Sequence, residues 1–189
     1  MFQLHPERQY VQRQAQALGL EIKKVHHPIA TTTCYEKAKL LQETHPDQEW
    51  TPERVVKALY GMICWDNYGF VLPELGRRLD LEMIRSTFQE AGLEPPSSAR
   101  ECDFHPSKVP PSMERGTCSP FPTEEEMRFI GRIFFYDFPD LENRIVDISM
   151  GGKGEEAHKV SWHLPYKGIH DILKEQFNGK IYKVRIPFR

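Results

Sequence analysis

Apolar and polar positions along the chain alternate with two different periods, which predicts interleaved helices and strands. Apolar residues spaced three and four apart predict helices over Glu7 to Leu18 and over about Lys167 to Phe177. Alternation at every second residue predicts strands, as within Arg144 to Ser149. The remaining predicted strands are Leu20 to Val25, Ala58 to Trp65, Phe70 to Leu75, Ile130 to Tyr136 and Ile181 to Ile186.

Capping residues mark where three further helices begin. Thr33 and Glu36 have the spacing of a capping box, in which the side chain of each residue bonds the backbone N–H of the other. Thr123 and Glu126 repeat this spacing. Asp80 is a favourable N-cap for an apolar-faced helix that follows it. These positions therefore predict helix starts.

The order of the elements predicts one α+β (mixed α/β) domain. We expect residues 1–189 to form a central mixed, partly barrel-like β-sheet flanked by helices, with an N-terminal helix within 1–19 and a C-terminal strand within 178–189. The turn residues Asp66 to Gly69 between two apolar runs predict a β-hairpin. The segment rich in Pro, Ser and charge from Glu94 to Pro122 predicts a long irregular stretch.

Composition narrows the class of protein. With 189 residues, 39% hydrophobic residues and a net charge of −2, the chain can bury a core and lacks the large basic field of a protein that coats DNA. No apolar run approaches the length of a membrane span, and Met1 to Arg8 lacks the order of a signal peptide. The four cysteines form no CxxC pair and the histidines no HExxH motif, so we expect a reduced, cytoplasmic protein without metal or cofactor.

Two features could carry chemistry. Lys57 lies in an aliphatic run, where an ammonium group is costly without a partner, so it either snorkels from a sheet edge or provides a cation at a pocket. The loop Gly116 to Pro120 could direct backbone N–H groups at an oxyanion, or it could be an ordinary turn. Cys118 could instead be a nucleophile partnered by His158. The Gly-rich segment Gly151 to Gly154 matches no nucleotide-binding motif and predicts a sharp turn.

The order of these segments resembles the YbaK/ProX aminoacyl-tRNA deacylase superfamily, which includes the editing insertion of bacterial prolyl-tRNA synthetases. The resemblance spans roughly residues 19–177. The segments that carry it are His27-Pro28 with Thr31, Val55-Val56-Lys57-Ala58-Leu59, Arg78-Leu79-Asp80, the GxxxP loop Gly116-Thr117-Cys118-Ser119-Pro120, and Val146-Asp147-Ile148-Ser149-Met150-Gly151-Gly152. The chain departs from the family at Ala58, where threonine is common.

The resemblance implies a set of site residues. Three would be catalytic, by orienting the aminoacyl group or holding its carbonyl: Lys57, Gly116 and Pro120. Six would bind substrate: His27, Thr31, Ser119, Gly151, Gly152 and His158, the last as the counterpart of a histidine in the prolyl-editing branch.

The implied function is trans-editing hydrolysis of a mischarged aminoacyl-tRNA, with alanine or cysteine on the tRNA for proline as the expected substrate. A positioned water would attack the ester, and the substrate's own ribose hydroxyl could help activate it. The expected partners are the 3′ acceptor end of tRNA and an aminoacyl-tRNA synthetase, with no membrane and no DNA. Two alternatives stay open: a non-catalytic module of the same fold that binds an acylated tRNA end or a synthetase, and a hydrolase that depends on Cys118.

Overall fold

A computed structural model describes residues 8–63, 66–76, 78–95 and 109–185. Its strands are β1 (Lys23–His26), β2 (Lys57–Ile63), β3 (Asp66–Leu72), β4 (Ile130–Asp137), β5 (Ile145–Ile148), β6 (Val160–Pro165) and β7 (Ile181–Arg185). Its helices are α1 (Gln9–Ala17), α2 (Cys34–Thr44), α3 (Leu81–Glu90), α4 (Glu126–Phe129), α5 (Glu155–His158) and α6 (Tyr166–Gln176), with 3₁₀ turns at Pro52–Arg54 and Pro139–Leu141. The predicted α+β class is confirmed.

The larger sheet has the strand order β2-β3-β4-β7 and is mixed. β2 and β3 form an antiparallel hairpin, whereas β3 with β4 and β4 with β7 run parallel. One face carries an apolar cluster that includes Ile133 and Phe135, and the other carries a second cluster with Phe70 and Phe134. The larger sheet is therefore covered on both faces.

The predicted hairpin exists, but its turn was placed wrongly. Asp66 to Gly69 belong to β3, and Ile63 pairs with Asp66, so only residues 64 and 65, outside the described part, separate the strands. Gly69 resembles a turn residue in sequence but serves a different purpose. A Cβ there would lie 2.9 Å from Cε1 of Tyr60 on the neighbouring strand. The glycine allows this close approach inside the sheet.

The smaller sheet is antiparallel, with the order β1-β6-β5. β6 was not predicted. Its first five residues are buried, including Ser161 and His163, so the strand shows none of the alternation that marks a half-exposed strand. The prediction of one central sheet is thus replaced by two sheets.

The two sheets meet where the chain enters β2. Val55 forms a parallel bridge with Asp147 of β5, and the Val56 N–H donates to the Asp147 carbonyl at 2.9 Å. Beyond this bridge the two strands diverge into separate sheets. Neither sheet closes on itself, so the expected partly barrel-like character is not confirmed.

The predicted helix caps are present. Thr33 and Glu36 form a complete capping box at α2, and the Asp80 side chain accepts from the Met83 N–H at α3. Thr123 and Glu126 exchange the same pair of bonds beside α4. The described part of the predicted irregular segment, 94–95 and 109–122, contains no helix or strand. Nor does any helix in the described residues have the length and apolar character to cross a membrane.

Candidate functional site

The loop Gly116 to Pro120 is fastened to the end of β5 by hydrogen bonds. The Thr117 hydroxyl donates to the Gly152 carbonyl at 2.7 Å, and the Ser149 hydroxyl donates to the Thr117 carbonyl at 2.7 Å. Gly151 and Gly152 both have positive φ, +79° and +112°, a conformation that glycine adopts most readily. The structure therefore brings together the predicted residues Gly116, Gly151 and Gly152.

Ser119 and Pro120, the last two residues of the loop, are buried. The Ser119 hydroxyl accepts from the Phe121 N–H at 3.0 Å, and the Tyr60 hydroxyl donates to the Ser119 carbonyl at 2.7 Å. Ser119 thus uses its polar groups to hold the turn. A direct substrate contact by its side chain, as the resemblance implied, stays a prediction that these contacts do not favour.

Two amides of the loop, those of Gly116 and Cys118, make no hydrogen bond within the described residues. The Thr117 N–H closes a turn to the Glu114 carbonyl at 3.0 Å, and the Ser119 N–H points at the Met113 sulfur. Within the described residues, the N–H groups of Gly116 and Cys118 donate to no protein acceptor. Gly116 is exposed and Cys118 half-buried, so these donors suit an oxyanion or a substrate carbonyl.

His158 packs its ring edge on Gly116. A Cβ on Gly116 would lie 2.9 Å from Cε1 and 3.4 Å from Nδ1 of His158. The opposite nitrogen, Nε2, lies 3.1 Å from Oε1 of Glu114, which also accepts the Gly154 N–H at 2.8 Å. His158 therefore belongs to the same cluster as the loop, with Glu114 behind it.

A buried arginine supports the loop from below. Arg8 is 1% exposed, donates from Nε to the Phe121 carbonyl at 2.8 Å and lies 3.4 Å from Glu126. Its guanidinium also packs against Gly151, where a Cβ would lie 3.0 Å from Cζ. Burial raises the pKa of Glu126, but hydrogen bonds from Ser112 and Thr123 and the charge of Arg8 outweigh it and lower that pKa below its usual value.

Lys57 begins β2 and forms an ion pair with Glu74. Its side chain is 33% exposed, whereas that of Glu74 is 9% exposed and also accepts the Gly76 N–H at 2.8 Å. Burial raises the pKa of Glu74, and the hydrogen bonds from Lys57 and the Gly76 amide bring it below its usual value. Lys57 thus has the partner that an ammonium in an aliphatic run requires.

Backbone register relates Lys57 to the loop. From the parallel bridge between Val55 and Asp147, Lys57 lies two residues further along one strand and Ser149 two residues further along the other. Ser149 in turn holds the Thr117 carbonyl. Lys57 and the loop are therefore related through the two strands that leave this bridge. In the described part of the chain no hydrogen bond or ion pair joins them directly.

His27 belongs to a buried polar network. Its Nε2 lies 2.7 Å from the Ser161 hydroxyl, which hydrogen-bonds to the Asp147 carboxylate, and Nε2 of His163 lies 3.1 Å from the same Oδ1. Burial, followed by the nearby Lys37 charge, lowers the pKa of His27 to about 4. His27 and its partners Ser161 and Asp147 are all at most 5% exposed, so the network lies in the protein interior.

Thr31 lies on the segment between this network and α2. Its hydroxyl and the Nδ1 of His27 are buried, and neither has a hydrogen-bond partner in the described structure. A buried polar atom without a partner is costly unless a ligand or water meets it. The structure therefore places both predicted residues at a position where polar groups are unsatisfied.

Cys118 has the environment of an inert thiol. Burial raises its pKa to about 11, and its Sγ donates to the Glu114 carbonyl at 3.4 Å. A nucleophilic cysteine needs its thiolate form near neutral pH. The geometry thus disfavours the Cys118-dependent alternative.

Several residues of the site were missed by sequence reasoning. Glu74, Glu114 and Arg8 contribute through partners that are distant along the chain, and nothing in their local sequence indicates this. Ser161 and His163 were missed because β6 was missed. Within the described ranges, no group of three or more His, Cys, Asp or Glu side chains is arranged to hold a metal ion.

No family model and no curated protein matches this sequence. Solved structures do match its fold. Hypothetical protein APE2540 is 21% identical over 93% of this chain and 98% of its own, with a TM-score of 0.55. A "putative trans-editing enzyme for prolyl tRNA synthetase" is 17% identical over 96% and 98%, with a TM-score of 0.59.

A third match is a structure from epitope backbone grafting by computational design on scaffold proteins. It is 16% identical and covers 98% of this chain and 99% of its own, with a TM-score of 0.55. At these identities the likeness establishes a shared fold over nearly the whole chain. The chain thus has the fold of a protein described as an editing enzyme, and its activity is a separate question.

Proposed function

We propose that this protein is a trans-editing hydrolase that removes the amino acid from a mischarged aminoacyl-tRNA. The observation that carries the proposal is the fold shared, over 96% of this chain, with the protein described as a "putative trans-editing enzyme". The proximity of the loop at Gly116 to Gly152 and to His158 supports it. It agrees with the residue pattern that resembles the YbaK/ProX deacylases.

The chemistry suits these groups. An aminoacyl-tRNA is an ester, so hydrolysis needs a held carbonyl, a positioned water and a pocket for the side chain. The free N–H groups of Gly116 and Cys118 would hold the carbonyl oxygen as it becomes an oxyanion. Lys57, fixed by Glu74, would orient the acceptor end through its exposed ammonium.

The proposed substrate is alanine or cysteine attached to the tRNA for proline, and the proposed setting is the cytoplasm. The 3′ acceptor end would bind beside loop 116–120, and a synthetase would deliver it or compete for it. A pocket of this kind discriminates chiefly by excluding larger side chains, because one methylene changes binding by only about 1–3 kcal/mol.

The test is deacylation of a panel of mischarged tRNAs, measured at enzyme excess. Wild type is expected to hydrolyse alanyl- or cysteinyl-tRNA for proline, and Lys57→Ala to reduce the rate at least 10-fold. Because Lys57→Ala leaves the buried Glu74 carboxylate without its cation, the pair Lys57→Met with Glu74→Gln is measured beside it. Lys39→Ala, at an exposed position of α2, is the matched control and keeps the wild-type rate.

Each other outcome rejects a specific part of the proposal. Binding of the mischarged tRNAs without turnover would assign the non-catalytic module instead. Loss of activity in Cys118→Ser together with full activity in Lys57→Ala would assign the cysteine-dependent hydrolase. The buried, protonated thiol leads us to expect that Cys118→Ser stays active.

A further inference from the structure

The contacts of His158 have the arrangement of a catalytic base with its orienting group. One ring nitrogen, Nε2, lies 3.1 Å from a Glu114 carboxylate oxygen, and the opposite edge of the ring faces Gly116. We infer that Glu114 and His158 form a carboxylate–imidazole pair that supplies the general base for ester hydrolysis at loop 116–120. This inference rests on the proposed function and adds to it a base provided by the protein.

The Glu114 contact determines which nitrogen can accept a proton. A carboxylate can only accept hydrogen bonds, so Nε2 of His158 carries the hydrogen that lies between them. In the neutral ring Nδ1 then presents its lone pair. No described residue donates to this Nδ1, which is therefore available to a water molecule.

The base faces the oxyanion donors. Nδ1 of His158 lies 3.4 Å from the position that a Cβ on Gly116 would occupy. The unpartnered N–H groups of Gly116 and Cys118 belong to the same loop. The His158 side chain is 21% exposed, so solvent reaches the ring. A base and a pair of unbonded amide donors on neighbouring residues are parts that hydrolysis of an ester requires.

The reaction balances with these groups alone. Nδ1 removes a proton from water as the water oxygen bonds to the ester carbonyl carbon, and the carbonyl oxygen becomes an oxyanion held by the loop amides. The tetrahedral intermediate then breaks its bond to the ribose oxygen, which takes the proton from Nδ1. The products are the free amino acid and a tRNA with an unesterified terminal ribose.

Glu114 is a positioning residue in this scheme. It also accepts the Gly154 N–H at 2.8 Å, so one carboxylate oxygen ties the Gly-rich turn to the His158 ring. The other ionisable side chains on these segments are Arg115 and Cys118 at the loop, Lys153 in the Gly-rich turn, Glu155 and Glu156 of α5, and Lys159 just after it. Lys159 pairs with both of those glutamates, which leaves Glu114 as the charged partner of the ring among the described residues.

The experiment measures single-turnover deacylation of alanyl-tRNA for proline between pH 5 and 8.5. His158→Asn is expected to lower the rate constant at pH 7.5 by about 100-fold, the usual contribution of a general base, without changing the Kd for tRNA. The pH profile of the wild-type rate constant is expected to differ from that of His158→Asn, because the variant lacks the imidazole base. Glu114→Gln keeps the side-chain shape and is expected to lower the rate about 10-fold, again at unchanged Kd.

Matched controls separate this role from folding. His26→Asn replaces an exposed histidine of β1, and Glu156→Gln an exposed carboxylate of α5, and both keep the wild-type rate and pH profile. Imidazole added to His158→Gly is expected to restore part of the lost rate, which a purely structural histidine would not show.

Two failures are distinguishable. If wild type hydrolyses no member of the mischarged panel, the proposed function is wrong and the inference falls with it. If wild type is active but His158→Asn keeps its rate constant, or changes only the Kd for tRNA, the function stands and the general base is rejected.

Discussion

Gly116 is constrained in two independent ways. Its φ of +93° lies in the left-handed region, which costs an L-residue about 1–2 kcal/mol. A side chain there would also meet the ring of His158, with a Cβ only 2.9 Å from Cε1. The glycine thus sets both the shape of the loop and the approach of the histidine to it.

Gly116→Ala is expected to lower the free energy of unfolding by about 2–3 kcal/mol, the backbone cost plus the displacement of a packed ring. Gly92→Ala is the matched control, because Gly92 has a similar φ of +70° but no atom within 4 Å of its would-be Cβ. It is expected to lose only about 1 kcal/mol. Urea unfolding of both variants gives the difference.

Deacylation by the same two variants extends the comparison. Gly116→Ala should lose activity, and Gly92→Ala, which lies at the end of α3, should keep it. Equal losses of stability in the two variants would show that the contact with His158 contributes nothing.

Individual residues of the site differ in how far the sequence reveals them. The glycines of the site can be recognised in the sequence, because few other residues tolerate the positive φ found at Gly116 and Gly151. The supporting carboxylates do not. Glu114 meets a histidine 44 positions away, and Glu74 meets a lysine from a different strand. Such pairs depend on tertiary geometry that single-sequence patterns do not contain.

At the scale of elements, prediction succeeded where one face of an element meets solvent. α2, α3 and α6 have polar faces, and their caps or periodicity located them. β6 is buried along most of its length and carries polar residues inside, so neither period applies. The same burial produces the network of Asp147, Ser161 and His27.

The network between β1, β5, β6 and α2 predicts acid sensitivity. The pKa of His27 is lowered to about 4 in the folded protein, first by burial and then by Lys37, against 6.5 for an exposed histidine. A lowered pKa means that the unfolded chain binds the proton more readily. The stabilisation is therefore complete above about pH 6.5 and is lost as the pH falls from there towards 4.

Between pH 7 and 4.5, this histidine alone should reduce the free energy of unfolding by about 2 kcal/mol. His27→Gln cannot take up the proton, so between the same two pH values its free energy of unfolding should fall by about 2 kcal/mol less than that of wild type. His26→Gln, the exposed neighbour, should behave as wild type. Urea unfolding at pH 7 and at pH 4.5 measures the loss of stability of each protein. Equal losses for wild type and His27→Gln would refute the assignment.

At the scale of the whole molecule, the sequence predicted the class of fold but not its division into two sheets. Alternating helices and strands imply an α+β domain. The bridge between Val55 and Asp147, where the sheets meet and part, involves residues 92 positions apart and leaves no local pattern. Lys57 and Ser149 each follow this junction by two residues, on its two strands.

The charge of the molecule is distributed unevenly along the chain. Residues 167–189 contain six basic and two acidic residues, whereas 121–158 contain four basic and nine acidic ones. Three of these basic side chains have partners in the structure. Lys167 pairs with Asp171, Lys183 pairs with Asp137, and the Lys180 ammonium donates to the Met127 carbonyl. In the described part of this region, Lys174 and Arg185 are exposed and have no ion pair.

This distribution predicts weak tRNA binding with a shallow dependence on salt. Two available cations would neutralise about two phosphates, and the slope of log K against log salt should be about −2 on a duplex acceptor stem. Replacing Lys174 and Arg185 together by alanine should make that slope shallower by about the same amount, because these two exposed cations supply the proposed phosphate contacts. Lys159→Ala, at a lysine held by Glu155 and Glu156, is the control and should leave the slope unchanged.

Filter binding of uncharged tRNA for proline between 50 and 300 mM salt measures each slope. Tight binding that is insensitive to salt would show that contacts other than these two charges hold the tRNA.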